Sequence, residues 1–322
     1  MGSESAVGEH RVLSIRTIAL WSAGTLVLAG LAAMLLLWRL GGGSPQDSAK
    51  LDALRTAANI LVGTGGAAAL LLAARRQRSA ELDLVQKDHD ATERRITEIY
   101  SKAADQLGSD KAPVRLAGLY SLERLAQGYE PQRQTIVNVI CAYLRMPFEP
   151  DGEDPEVRQE LQVRQTAERL LGLHLRYVEG EGNGAYWPNI DLDLVGAKLT
   201  KLRLVRCRIR SAMFHETEFH GPTSFRFTTF TSKADFTNAT FLGPVDFRDM
   251  LFENIGSTFI GATFENETDF GEATVARLTG AITRTDLGLR RKWPEGWTER
   301  AIPGRDAYAD LVTIVEPAPA TA

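Results

Sequence analysis

The sequence is short of the residues from which reaction chemistry is built. Only two cysteines occur in 322 residues, Cys141 and Cys207, and they form no Cys-x-x-Cys pair. That excludes a disulfide framework and a zinc ribbon and fits a reducing compartment. Each stands where the local pattern calls for an apolar residue, so both read as buried thiols. An excess of charge of one sign is also missing. The formal net charge is −4, so composition by itself indicates neither a nucleic-acid binder nor a strongly acidic mimic. There is no G-x-S-x-G, no Walker loop and no G-x-G-x-x-G after a strand. The glycine-rich "GTGG" at 63–66 sits inside an apolar run, where it cannot cradle a phosphate. The chain therefore reads as a non-enzyme with no cofactor or metal.

One stretch argues the other way. "HETEFH", residues 215–220, packs two histidines and two glutamates into six positions. Zinc-protease helices need histidines at i and i+4 on one face, whereas these are at i and i+5, about 140° apart at 3.6 residues per turn. His174 stands alone on an apolar stripe with no companion ligand, and reads as a satisfied core or boundary histidine.

Apolar runs occur only near the N-terminus. Thr17 to Trp38 is 22 residues without a charge, roughly 33 Å of helix against a hydrocarbon core of about 30 Å. Trp38 and Arg39 end it as an interfacial pair, and its length argues against a cleaved signal. A second run, Thr56 to Ala74, follows the flexible 39–55 loop. Together they predict a transmembrane helical hairpin after a tail at 1–16. Arg11, Arg16, Arg75, Arg76, Arg78 and Lys87 flank the pair, against Arg39, Lys50 and Arg55 between them. This bias puts both termini in the cytoplasm of a two-span protein. Asn59, Gly63 and Ala67 form one small-residue stripe and Gly65, Ala69 and Ala73 another, with Gly66 beside them. These either drive homo-oligomerisation or pack the hairpin on itself.

From 75 to 186 the chain is polar and helix-prone. Helices are signalled up to Gly108, from Pro113, from Pro131 and from the Asp154-Pro155 pair.

The informative pattern begins near Trp187. Phenylalanine recurs at Phe225, Phe230, Phe236, Phe241, Phe247, Phe252, Phe259, Phe264 and Phe270, and upstream a strict step of five runs through Leu194, Leu199, Leu204, Ile209, Phe214 and Phe219. Eleven of the thirteen phenylalanines fall on these centres, so the pattern is not scatter. Two positions before most centres stands a small or slim residue, such as Ala197, Cys207, Ala212, Thr217, Ala234 or Ala239. A period of five is neither 3.6 nor 2. It fits a coil that turns a corner every five residues with a large and a small residue inward on each side, stacked like on like.

"AKLTK", "ADFTN" and "ATFLG" resemble the pentapeptide repeat family: a small residue, Asp or Asn, Leu or Phe, then two variable positions. The resemblance implies a right-handed, four-sided β-solenoid over 187–276. Sixteen centres from Leu194 to Val275 then make about four coils. "DKAPVRLAGLYSLERLA" and "WPNIDLDLVGAKL" are similar to segments that precede such repeats in bacterial membrane-anchored members, which implies the inner membrane. The step departs from five at "HGPTSF", "FLGPVDF" and "FENIGSTF", where extra residues must bulge at a corner. In this register His215, Glu216, Glu218 and His220 face outward, and Thr217 and Phe219 face in.

Six basic residues and no acid lie between Lys198 and Arg210, while ten acids face three bases from Glu216 to Glu272. The basic end either meets anionic headgroups or a partner's acids, or is an ordinary solvated face. Residues 277–322 read as a cap for the last coil and a disordered tail. The leading expectation is a non-enzymatic, membrane-anchored scaffold whose cytoplasmic solenoid meets an unidentified protein partner. The alternatives are a DNA-mimicking, topoisomerase-binding solenoid and an oligomerising membrane effector or channel. Nucleic acid itself is disfavoured as a partner.

Overall fold

The computed structural model describes residues 45–180, 184–253, 258–273 and 277–314, with scattered positions between 24 and 39. The chain divides into two units, Met1–His89 and Asp90–Ala322.

From Pro45 on, the first unit is the leading stretch of one long helix, α1 (Pro45–Leu107, 63 residues). Pro45 opens it, at a position where a missing N–H costs nothing. No proline follows before Pro113, and the polar stretch from Arg75 is rich in strong helix formers, so nothing stops the helix at 74. The structure therefore gives no support to the helical hairpin of the two-span reading. The expected 39–55 loop is helical from Pro45, and the 56–74 segment is an interior portion of α1 with no break on either side. Among the described residues no helix is long and apolar enough to cross a membrane. The 1–16 tail and most of 17–38 lie outside the described residues.

In the second unit, Ile96, Ala103 and Leu107 at the end of α1 join the core. They pack with α2 (Ala112–Gly128), α3 (Arg133–Leu144, after a 3₁₀ turn at Glu130–Gln132) and α4 (Pro155–Leu175). Asp154 takes the extended N-cap conformation before Pro155. The helices are tied by Arg164, 2% exposed, which donates to the Leu144 and Met146 carbonyls at 3.0 and 2.9 Å and pairs with Glu160 at 2.7 Å. A buried guanidinium is tolerated because its donors are met in this way.

The rest is a solenoid of about four turns, built from four parallel ladders of very short strands. On one face Lys198 pairs with Glu218, Glu218 with Thr240 and Thr240 with Thr263, at twenty, twenty-two and twenty-three residues apart. Like side chains therefore stack. Phe219 lies on Phe241 at 4.6 Å and 3°, Phe241 on Phe264 at 5.1 Å, Phe214 on Phe236 at 4.8 Å and Phe236 on Phe259 at 4.5 Å. Edge-on contacts such as Phe225–Phe236 at 5.3 Å join neighbouring stacks, the arrangement aromatic quadrupoles favour. Every residue read as an inward centre from Leu194 to Phe270 is buried except Phe252, which is partly exposed. Val275 lies outside the described residues. Threonines at small positions keep their hydroxyls satisfied: Thr217 donates to the Leu194 carbonyl at 2.7 Å.

The corners are of two kinds. After Leu194, Phe214, Phe236 and Phe259, and after Leu204, Phe225 and Phe247 on the opposite side, the residue two places on has φ between 56° and 68°. Most of these corners close with an i to i+3 bond such as Thr217 N–H to Phe214 O at 3.2 Å, which is a type II turn. Here the step is always five. Glycine fills the left-handed position at Gly196 and Gly261, whereas Arg206, Glu216 and Phe227 occupy it despite their side chains. Extra residues enter only at the other two corners. The "HGP" and "LGP" insertions fall on one corner of successive turns, Gly221 against Thr200 O and Gly243 against Gly221 O. A Cβ at either glycine meets backbone. The third departure, at 254–257, lies outside the described residues.

Both open ends are covered. At the start, the Gln134 side chain accepts from Asp191 N–H and donates to Asp191 O, both at 2.9 Å, as a neighbouring strand would. The Glu168 carboxylate accepts the Thr200 and Lys201 amides at 2.9 and 2.8 Å. At the far end the parallel ladders continue past 276, through Ile282–Arg284 and Arg291–Lys292. Leu278 and Ala281 there take large and small inward places. An antiparallel pair, Trp297–Ala301 and Tyr308–Thr313, then pairs with Ile282–Arg284, and Trp293 lies on Phe264 at 5.2 Å and Phe270 at 5.9 Å. The tail at 315–322 lies outside the described residues.

The two corner types predict opposite responses. Gly221→Ala destabilises by about 1–3 kcal/mol through forced overpacking. Glu216→Gly, relieving a left-handed residue, stabilises by about 1 kcal/mol. Thermal melts followed by circular dichroism check both, and a lower melting temperature for Glu216→Gly would refute the corner assignment.

Candidate interaction surface

The solenoid's outward residues carry its charge, and most bases on the early turns are neutralised locally. Lys198 meets Glu149 at 2.7 Å, Arg208 meets Glu253 at 3.0 Å, Lys233 meets Asp235 at 2.9 Å and Arg248 meets Asp246 at 2.8 Å. Arg210 pairs with Asp191. The Arg210 hydrogen bond holds the Asp191 carboxyl below its usual range, and at Asp246 the Arg248 bonds outweigh the opposing effect of burial. Exposed pairs of this kind contribute little stability, at most about 1 kcal/mol each, but they cancel the local field.

Lys201, Arg203 and Arg206 differ. Among the described residues none has a carboxylate within 4.0 Å, and the nearest to Arg226 is Asp249 at 3.9 Å. These four side chains converge on a groove of about 760 Å³ between α4 and the first turns. Its walls carry six basic side chains in all, Arg169 from α4 and Arg176 from the residue that follows it, and no carboxylate. Close packing sets the geometry. A Cβ at Gly172 of α4 would lie 2.5 Å from Arg203 O, so the helix rests on the coil edge itself. Arg206 donates its N–H to Arg226 O at 2.9 Å, which places the two arginines on successive turns. Between them projects Phe227, 40% exposed, with the Arg226 and Arg206 guanidinium carbons 4.7 and 5.5 Å from its ring centre. Phe227 has φ 58°, a position where glycine or asparagine is the low-cost choice.

The basic run read from Lys198 to Arg210 thus splits. Lys198, Arg208 and Arg210 belong to ion pairs, while Lys201, Arg203 and Arg206 line the groove. Sequence reading missed Arg169, Arg226 and Phe227, which reach this site from a helix and from the next turn. The one available signal was an aromatic residue off the five-residue step.

The other marked residues are dispersed. His215 lies beside Glu216 at 3.1 Å and His220 beside Glu218 at 2.8 Å. Each histidine sits with its own glutamate, and among the described residues no cluster of three or more potential ligands is suited to a metal ion. His174 is buried, stacked on Trp187 at 3.9 Å, with its ring nitrogens on Glu123 and the Ala185 carbonyl at 2.8 and 2.7 Å. Cys141 and Cys207 are buried, which pushes both thiols up to about 12 and leaves them un-ionised at neutral pH. Asn59, Gly63 and Gly66 are exposed on α1, and nothing lies within 4 Å of a Cβ at either glycine.

A family model described as pentapeptide repeats, in nine copies, matches residues 214–255. No catalytic family is indicated. Searches among curated proteins and among solved structures return no match.

The placement of "HETEFH" separates inward from outward positions. Phe219→Asp, which buries a carboxylate inside an aromatic stack, abolishes folding, whereas His215→Ala combined with His220→Ala leaves the melting temperature within about 2 °C, as surface changes do. A collapse of the double alanine variant, or a zinc-dependent rise in melting temperature of the parent chain that the variant lacks, would overturn this.

Proposed function

We propose that the chain is a non-enzymatic interaction scaffold, tethered to a membrane by its N-terminal apolar segment and presenting the solenoid to a protein partner in the cytoplasm. The observation that carries the scaffold reading is the division of labour along each coil. Inward positions are consumed by stacking, and outward ones sit on a backbone fixed by ladders above and below, so the surface is rigid and varies without cost to the core. The buried thiols and dispersed histidines leave no reacting constellation among the described residues. The tether is supported by the 22 uncharged residues from Thr17 to Trp38, long enough as a helix to cross a hydrocarbon core.

The carboxylates of the later turns form the surface offered to a partner. Glu216, Glu267 and Glu272 are exposed. A DNA-mimicking reading draws on the same acids, but requires negative charge along the whole solenoid. The unpaired Lys201, Arg203 and Arg206 on its first turns weigh against that.

Two measurements test the proposal. Crosslinked co-purification from native membranes, comparing the full chain with a Glu216→Lys, Glu267→Lys, Glu272→Lys variant of equal thermal stability, should show specific partners lost from the variant; an identical set of partners refutes these exposed acids as the docking determinants. Deleting residues 17–38 should move the chain from the carbonate-washed membrane pellet to the supernatant, and retention in the pellet removes the tether.

A further inference from the structure

We infer that the groove between α4 and the first solenoid turns is a binding site for a compact, phosphate-rich anion. The premise is the failure of neutralisation described above. Elsewhere on these turns each base has a carboxylate within about 3 Å, but Lys201, Arg203, Arg206 and Arg226 converge on one concavity with none that close. Like charges gathered in a cleft repel, and a cleft lined by one sign of charge concentrates counter-ions from solution.

Three further features point to a ligand. The first is the strained Phe227. An aromatic residue held at φ 58° and 40% exposed adds no burial to the core, yet its ring lies near two guanidiniums and gathers them at one place. The left-handed φ belongs to every corner of this kind, but here the position holds an exposed aromatic ring where others hold Gly, Asn, Asp, Glu or Arg. The second is the Arg226 Nε, which is shut off from solvent with no hydrogen-bond acceptor among the described residues. The nearest acid, Asp249 at 3.9 Å, is too far to accept a hydrogen bond from it, so part of this guanidinium is left unsatisfied. The third is enclosure. α4 rests on the coil edge at Gly172 and brings Arg169 to the opposite wall, where its Nη2 donates to the Tyr120 hydroxyl at 2.8 Å and is held in place. The arginines therefore line two walls of an open groove and do not merely form a flat basic patch.

The chemistry selects phosphate over carboxylate. The cluster is nearly all arginine, whose planar fork matches two oxygens of one phosphoryl group. A volume of about 760 Å³ is of small-molecule size. An acidic peptide would have to crowd several singly charged carboxylates there, whereas two or three linked phosphoryl groups supply the same charge in a compact unit. Such groups come either from a free nucleotide or from the headgroup of a phosphorylated lipid. None of Glu216, Glu267 and Glu272 lines this groove, so the site and the protein-docking proposal above can fail separately.

The test is isothermal titration of the full-length chain with sodium tripolyphosphate at low ionic strength. Binding in the micromolar range is expected, with affinity falling as salt rises. Arg203→Ala with Arg206→Asn, asparagine being suited to the left-handed φ, weakens binding at least tenfold. Arg208→Ala with Arg210→Ala, on the same turn but engaged in ion pairs, changes it less than twofold. Arg169→Ala weakens binding several-fold from the helix side, and carries the test if the coil variant does not fold. Titration with ATP and with inositol 1,4-bisphosphate then separates the sources: tighter binding of the first assigns a free nucleotide, tighter binding of the second a lipid headgroup. Absence of binding at millimolar tripolyphosphate overturns the inference, as does equal loss in the two coil variants or tighter binding of a hexaglutamate peptide.

Discussion

Stacking of identical side chains at the strand spacing is the constraint from which the rest of this molecule follows. Parallel strands lie about 4.8 Å apart, and the phenylalanine rings along each stack are 4.5 to 5.6 Å apart. A ring on one turn is thus within contact distance of its equivalent on the next only if every turn brings the same residue to the same side. The hydrogen-bonded corners preserve this by never changing length, and all length variation is pushed to the corners without a type II turn. There successive insertions stack on one another, Gly221 on Thr200 and Gly243 on Gly221. Insertions of this kind are compatible with the core because they are in register with each other.

A stack has two ends, and each exposes unpaired strand edges. The two solutions here differ. The far end is closed by backbone, an antiparallel pair joined to Ile282–Arg284, and by Trp293 over the last rings. The near end is closed by helices, whose own backbone groups are committed internally. The edge amides must therefore be met by side chains, which is the place of Gln134 and of the nearly buried Glu168. Burial raises the proton affinity of Glu168, and the Thr200 and Lys201 amides partly offset it. That offset keeps a carboxylate tolerable in a position where only an acceptor will serve.

The basic groove is a by-product of this near-end closure that the surface charges then elaborate. Laying α4 on the coil edge forms a cleft, and the edge residues that face it are Lys201, Arg203 and Arg206. Bases on the remaining sides of the same turns meet acids from other turns or from the helical region, as Arg208 meets Glu253 two turns on and Lys198 meets Glu149. One run of sequence thus yields an ion-paired set and an unpaired set, distinguished only by which way each side of the square coil faces.

The five-residue step, the inward centres from Leu194 to Phe270 and the outward placement of His215 and His220 were all legible in the sequence, because a repeat writes each local environment many times. The single histidine at 174 was likewise legible as a satisfied one, since a lone polar group on an apolar stripe needs partners and not ligands. The extent of α1 was not legible: an apolar run and a polar helix former look like separate elements in sequence, yet backbone hydrogen bonding continues across the junction because neither Pro nor a helix stop intervenes. Nor was the continuation of the ladders to Lys292, since Leu278 and Ala281 fill the inward places without phenylalanine and off the five-residue step. The sequence by itself determined what each coil is, because stacking depends on a period. Tertiary structure alone decided how the near end is capped and which bases are left unneutralised, because both depend on contacts between residues as distant along the chain as Arg169 and Arg226.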